Sequence, residues 1–119
     1  MSESSAEPSI FTRIIAREIP AEVLFENERI IAIRDINPQA PVHLLVIPKH
    51  EYPSVVELAA ADPALLAEVV AVGKQLATEH ANGEFRLVFN TGASTGQTVF
   101  HVHAHVLSAP EGLKEGSLA

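Results

Sequence analysis

The side chains best suited to chemistry lie in one stretch, Gly96-Gln97-Thr98-Val99-Phe100-His101-Val102-His103-Ala104-His105-Val106-Leu107. A polar turn leads into residues 99–107, where β-branched and apolar side chains without Pro or Gly predict a strand rather than a helix. On a strand, positions i, i+2 and i+4 share a face. His101, His103 and His105 are therefore expected on one side, successive rings roughly 6.5–7 Å apart along the chain, with Val102, Ala104 and Val106 toward the core. Three readings of such a face are open. It can be a solvated or internally satisfied surface, although three buried imidazoles are costly to satisfy. It can be a metal site, because neutral imidazole is the commonest metal-binding side chain. Two ligands of one zinc ion lie only about 3–3.5 Å apart, however, so at most a pair would converge and other ligands would be needed. It can also serve covalent and acid–base chemistry on phosphate, one neutral ring attacking while a neighbour donates hydrogen bonds.

Composition narrows the setting. The 119 residues are of single-domain size and 47% hydrophobic, enough to bury about two-thirds of the unfolded surface. There is no cysteine, so neither a disulfide framework nor a thiolate metal site is expected. A formal net charge of −7 argues against the basic face that non-specific nucleic-acid binding requires. Any phosphate must be held by local hydrogen-bond donors instead. No run approaches the roughly 18 apolar residues of a membrane span, and residues 1–8 lack the features of a signal peptide. A cytoplasmic protein is the expectation.

The elements that must carry the histidines follow from local signals. Residues 1–8 are polar and expected to be disordered. Ser9 caps a short helix to about Ala16, whose apolar residues Ile10, Phe11, Ile14 and Ile15 read locally as core. Residues 23–26 and 30–34 read as strands joined by a tight hairpin through Asn27. Residues 35–41 form a loop rich in turn residues, where Asp35 would ordinarily be a turn former. Residues 42–47 are a third strand; His43 interrupts its apolar run and, taken alone, reads as a residue satisfied by backbone. Ser54 caps a short helical turn over residues 55–59. Asp62 followed by Pro63 opens a long helix, with Leu65, Val69, Val72 and Leu76 on one stripe, and Asn82-Gly83 stops it. Gly73 inside that helix costs about 1 kcal/mol relative to Ala. It is either a tolerated defect or a point of close approach, for instance by a second helix in a dimer. Residues 85–90 are a fourth strand, residues 91–96 a small-residue loop without the Gly-Lys-Ser/Thr of a P-loop, and the histidine strand is the fifth. The fold class is α+β: a five-stranded antiparallel sheet with one long and one short helix over residues 9–108, followed by an unassigned tail over 109–119. His50 and His80 read as surface residues.

These residues amount to a family likeness. The histidine segment resembles the His-x-His-x-His signature of the histidine-triad (HIT) nucleotide-binding family. Ile10-Phe11 with Ile14-Ile15, Glu18-Ile19-Pro20-Ala21, Asp35-Ile36 with Pro38-Gln39-Ala40-Pro41, and His43 with Val46-Ile47-Pro48 resemble that family's Hint branch in order and spacing. The Ile-Phe and Glu-Ile-Pro-Ala stretches favour that branch over the Fhit-like dinucleoside-polyphosphate branch.

The resemblance implies a homodimer whose sheets join, a purine nucleoside monophosphate site on each subunit, and no cofactor. The implied reaction is hydrolysis of the P–N bond of purine nucleoside 5′-phosphoramidates through a nucleotidyl-histidine. His103 matches the nucleophile, with His101 and His43 orienting it and helping to move protons. His105, Asn90 and backbone N–H groups at Gly96 and Gln97 would donate to phosphate oxygens, and Thr98 would face the leaving amine. Asp35 would accept from ribose hydroxyls. Ile10, Phe11, Ile14, Ile33 and Ile36 would sandwich the base, and no metal ligand is implied. The alternatives are a dinucleoside-polyphosphate hydrolase and a nucleotide-binding regulatory protein with incidental hydrolysis. One departure stands out. Where relatives continue past the triad with Gly-Gly and an aromatic-bearing C-terminus, this chain has Ser108-Ala109-Pro110-Glu111 and neither Trp nor Tyr among residues 108–119, which bears on the preferred amine rather than on the nucleotide site.

Overall fold

A computed structural model describes residues 7–114; the expected tails fall largely on residues 1–6 and 115–119, outside the described residues. The elements in chain order are α1 (Ile10–Ile15), β1 (Val23–Glu26), β2 (Ile30–Arg34), β3 (Val42–Pro48), α2 (Val55–Ala61), α3 (Pro63–His80), β4 (Arg86–Val88) and β5 (Ala104–Ser108), with a short 3-10 turn at Ala93–Thr95. The strands form one antiparallel sheet in the order β1-β2-β3-β5-β4. The expected α+β architecture holds, with a second short helix, α2, added to the one expected. Ser54 caps it, accepting from the Val56 N–H and donating to Glu57, and this closure carries the helix two residues beyond the expected turn.

Two apolar layers cover the two faces of the sheet. Ile30, Ala32, Leu44, Val46, Ala104 and Val106 pack toward α3 with Leu65, Val69, Val72 and Leu76. Ile31, Ile33, Leu45 and Ile47 face the other way and pack with Phe11 and Ile14 of α1. Because β2 and β3 are covered on both sides, their sequences read as unbroken apolar runs instead of alternating. The Asn27 side chain fixes the β1–β2 hairpin by accepting from the N–H groups of Arg29 and Ile30. Asp62 caps α3 by accepting from the Leu65 N–H at 3.0 Å, with Pro63 at the first helical position.

Gly73 does permit a close approach, but to this chain's own sheet. A β-carbon there would stand 3.4 Å from Val106 Cγ2 and 3.6 Å from Phe85 Cε2. The expectation of a partner helix at Gly73 is therefore corrected: the residue lies on the buried face of α3, against β4 and β5.

The expected strand over residues 99–107 is shortened to Ala104–Ser108. The β3–β5 ladder ends at the Val46–Ala104 pair. Pro48 has no N–H to continue it, and its carbonyl accepts instead from His101 Nε2 at 2.7 Å. The Val102 N–H bonds the Tyr52 carbonyl at 2.8 Å, outside the sheet. His101 and His103 thus precede the strand, and only His105 lies within it. The inward side of the alternation survives: Val102, Ala104 and Val106 all enter the main core.

Candidate active site

The site is a row of rings on the α1 side of the sheet. Phe11, His103, His105 and His43 follow one another with centroid separations of 4.9, 5.2 and 5.1 Å. His105 pairs with Leu45 and Val88, and His43 with Leu107, so the two rings meet diagonally across β3 and β5. His101 diverges from this row. Its ring is fully buried behind Phe11, at 5.7 Å between centroids.

Backbone groups fix the tautomers of His43, His101 and His103, because a carbonyl only accepts and an amide N–H only donates, and His43 in turn sets that of His105. The Gln39 N–H donates to His43 Nδ1 at 2.9 Å. His43 therefore carries its hydrogen on Nε2 and donates it to His105 Nδ1 at 2.9 Å, with the Asp35 carboxylate 3.4 Å away. His105 must then carry its own hydrogen on Nε2, 3.4 Å from the Asn90 side-chain NH2; both groups are donors, so they do not bond each other and are left to share an outside acceptor. His103 donates from Nδ1 to the His101 carbonyl at 2.8 Å, so its Nε2 is left as a lone pair. His101 donates from Nε2 to the Pro48 carbonyl and accepts at Nδ1 from the Ser9 hydroxyl, 2.6 Å away. The sheet thus presents one imidazole lone pair, on His103, beside one imidazole N–H, on His105.

Burial lowers the pKa of all four rings below the ordinary imidazole value. For His105, burial and the neighbouring His103 and His43 push it down to about 4, against a smaller upward pull from Asp35. Burial lowers His43, partly offset by Asp35, and it also lowers His103, partly offset by the His101 carbonyl. His101 is lowered by burial despite its bond to Pro48 and the nearby Glu51. At neutral pH the cluster is neutral: an attacking ring needs no deprotonation, and His105 offers a hydrogen bond rather than a charge.

Several expected residues sit elsewhere than their implied roles require. The ring of His43 contacts His105 and not His103, and it is the His101 carbonyl, not its ring, that orients His103. The backbone N–H groups of Gly96 and Gln97 are both spent inside the 3-10 turn, donating to the carbonyls of Ala93 and Gly92. They are corrected as phosphate donors. Gln97 acts instead through its buried side chain, which accepts from the Gly92 N–H and donates to the carbonyls of Pro53 and Val99. Thr98 is exposed. Asp35 does hold a turn, accepting from the Asn37 N–H, while its second oxygen faces His43. Of the apolar set, Phe11, Ile14 and Ile33 pack together, whereas Ile10 and Ile36 are 46% and 93% exposed. His50 and His80 are exposed as expected.

Local sequence signals missed Ser9, Thr12 and Glu51. Ser9 was legible as a helix cap, but nothing near it in the chain points to His101, 92 residues away.

Asp35, His43 and His105 bring three metal-binding atoms within 4.8 Å of one another. The donor chemistry does not fit a cation. The Gln39 N–H occupies the lone pair of His43 Nδ1, so Nε2 carries the hydrogen and has no lone pair to give. Two cavities of about 220 and 230 Å³ lie elsewhere, one between β4 and residues 109–113, the other around Arg29, His50 and Tyr52.

An open five-stranded antiparallel sheet with the rings of His103, His105 and His43 in one row on its α1 side defines a class, the hydrolases with an imidazole-lined site. The family model described as "Scavenger mRNA decapping enzyme C-term binding" matches residues 8–117. An uncharacterised HIT-like protein of Synechocystis is 48% identical over 103 residues, covering 86% of this chain and 90% of that protein. The purine nucleoside phosphoramidase of Escherichia coli is 38% identical over 104 residues, covering 86% of this chain and 87% of that enzyme. Among solved structures, a HIT family hydrolase from Clostridium thermocellum superposes with a TM-score of 0.83 at 39% identity, covering 94% and 96% of the two chains. One from Legionella pneumophila gives 0.80 at 43% identity, covering 85% and 92%. The chain belongs to the histidine-triad (HIT) family and is a nucleotide hydrolase.

Proposed function

We propose that this protein hydrolyses the P–N bond of purine nucleoside 5′-phosphoramidates, such as adenosine 5′-monophosphoramidate, through a nucleotidyl-histidine on His103. The observation that carries this reading is the bond from His103 Nδ1 to the His101 carbonyl, which leaves Nε2 as the free lone pair. In the first step Nε2 attacks the α-phosphorus. A new N–P bond forms, the P–N bond to the leaving amine breaks, and the amine takes a proton from water beside the exposed Thr98 hydroxyl. The His101 carbonyl, still accepting from Nδ1, stabilises the positive charge on the phosphorylated ring. His105 Nε2–H and the Asn90 amide donate to the phosphate oxygens as charge builds on them. In the second step water attacks phosphorus, the N–P bond breaks, His103 recovers its lone pair, and a proton passes to solvent.

The base is placed among Ile10, Phe11, Ile14, Ile33 and Ile36, where the exposed Ile10 and Ile36 gain by being covered, and Asp35 accepts from the ribose hydroxyls. The protein acts in the cytoplasm as a homodimer. Of the two outer strands, β1 carries a register irregularity between Val23 and Phe25, which disfavours edge pairing. The sheet is therefore extended across β4.

Turnover of a fluorogenic adenosine phosphoramidate, together with capture of an acid-quenched nucleotidyl-protein, tests the reading. Faster cleavage of a dinucleoside polyphosphate by the same preparation, or full activity in His103→Ala, would overturn it. Light scattering after size exclusion gives the oligomeric state.

A further inference from the structure

We propose that Ser9 is a positioning residue for the reacting histidine, acting through His101 as a clamp between α1 and the segment before β5. The inference rests on the nucleophilic role of His103 given above.

The Ser9 side chain has two duties. Its oxygen accepts from the Thr12 N–H at 3.0 Å, which caps α1. Its single hydrogen has two acceptors in range, His101 Nδ1 at 2.6 Å and Thr12 Oγ1 at 3.3 Å. The shorter contact takes it: His101 Nδ1 needs a donor, and the one hydrogen of Thr12, whose Oγ1 lies 3.5 Å from that nitrogen, already goes to Glu51 at 2.8 Å. Glu51 closes the cluster, 3.4 Å from the Ser9 N–H and 3.8 Å from His101 Nδ1.

His101 is consequently held at both ends, by Ser9 on one side and the Pro48 carbonyl on the other. Neither nitrogen is free to exchange protons with a substrate. What the residue supplies is a fixed backbone carbonyl, and that carbonyl sets the tautomer of His103. Residues 101 and 103 lie outside the strand ladder, so sheet hydrogen bonds do not hold them. Beyond the Val102–Tyr52 bond, the contacts of the His101 side chain do that work. The same serine begins the helix that bears Ile10, Phe11 and Ile14, so one hydroxyl fixes both the base-side wall and the attacking ring.

Three variants separate the two duties: Ser9→Thr keeps the cap and the hydroxyl, Ser9→Gly keeps most of the capping and loses the hydroxyl, and Ser9→Ala loses both. Nitrogen-15 NMR of the imidazoles in the full-length protein is the direct readout. His103 is expected as a single Nδ1–H tautomer in the wild type and in Ser9→Thr, and as a tautomer mixture in Ser9→Gly and Ser9→Ala. With the fluorogenic phosphoramidate, kcat is expected to fall roughly tenfold in Ser9→Gly while KM stays within about threefold, the mark of lost orientation rather than lost binding. In Ser9→Ala, KM is expected to rise as well. A single Nδ1–H tautomer of His103 retained in both Ser9→Gly and Ser9→Ala overturns the clamp, whatever the kinetics. Absence of phosphoramidate turnover in the wild type counts against the reading above, and the NMR result still decides the clamp.

Discussion

His43 Nε2 lies 2.9 Å from His105 Nδ1, diagonally across strands β3 and β5, and the Gln39 N–H behind His43 gives that contact its direction. A backbone amide in a turn-rich loop thereby decides which nitrogen of a strand histidine carries a hydrogen two rings away. His43→Ala removes the donor and frees His105 to adopt either tautomer. Turnover is expected to fall roughly 10- to 100-fold, the scale of a weakened oxyanion contact, with KM changed less than kcat. Steady-state kinetics on a phosphoramidate check it.

His103→Ala removes the lone pair itself. Loss of at least roughly 10³-fold in kcat is expected, as for a deleted nucleophile, with nucleoside monophosphate affinity retained by calorimetry because the apolar wall and Asp35 are untouched. Retained turnover would remove His103 from the chemistry.

Acid should destabilise the fold. All four triad-side rings have a folded pKa below the ordinary value of 6.5, His105 down to about 4. In the window between those values the unfolded chain binds more protons than the folded one, so stability rises with pH there. The contribution is complete above 6.5 and is lost as pH falls through about 4. Thermal melts should show Tm dropping across that window, less steeply in His105→Asn. Activity should likewise have an acid limb and be flat above neutrality.

Gly73 offers a test of packing. An added methyl meets Val106 at 3.4 Å, an ordinary contact, while the helix gains the propensity of alanine. Gly73→Ala is expected to stabilise by about 0.5–1 kcal/mol. Gly73→Leu is expected to cost about 1–3 kcal/mol by forcing α3 off β5. Denaturant midpoints at constant slope read both.

The local sequence determined most of the scaffold, because caps, turns and apolar periodicity are short-range signals. Asp62-Pro63 opened α3, Asn27 turned the first hairpin, and the unbroken runs in β2 and β3 marked strands covered on both faces. The family was also legible, in the three alternating imidazoles together with His43. Tertiary structure alone decided how those rings are used. Pro48 ends the ladder and its carbonyl captures His101, so the first histidine stays on the α1 side but is buried behind Phe11 with both ring nitrogens engaged; no signal within residues 99–107 records what residue 48 does to them. The Gly96 and Gln97 amides look available in sequence and are consumed by a turn whose closure depends on backbone angles. Ser9 and His101 meet across 92 residues, and Gln39 reaches His43 only because the loop folds back on its strand. Hydrogen-bond direction is a property of which groups meet, and a chain fixes that only when it is folded.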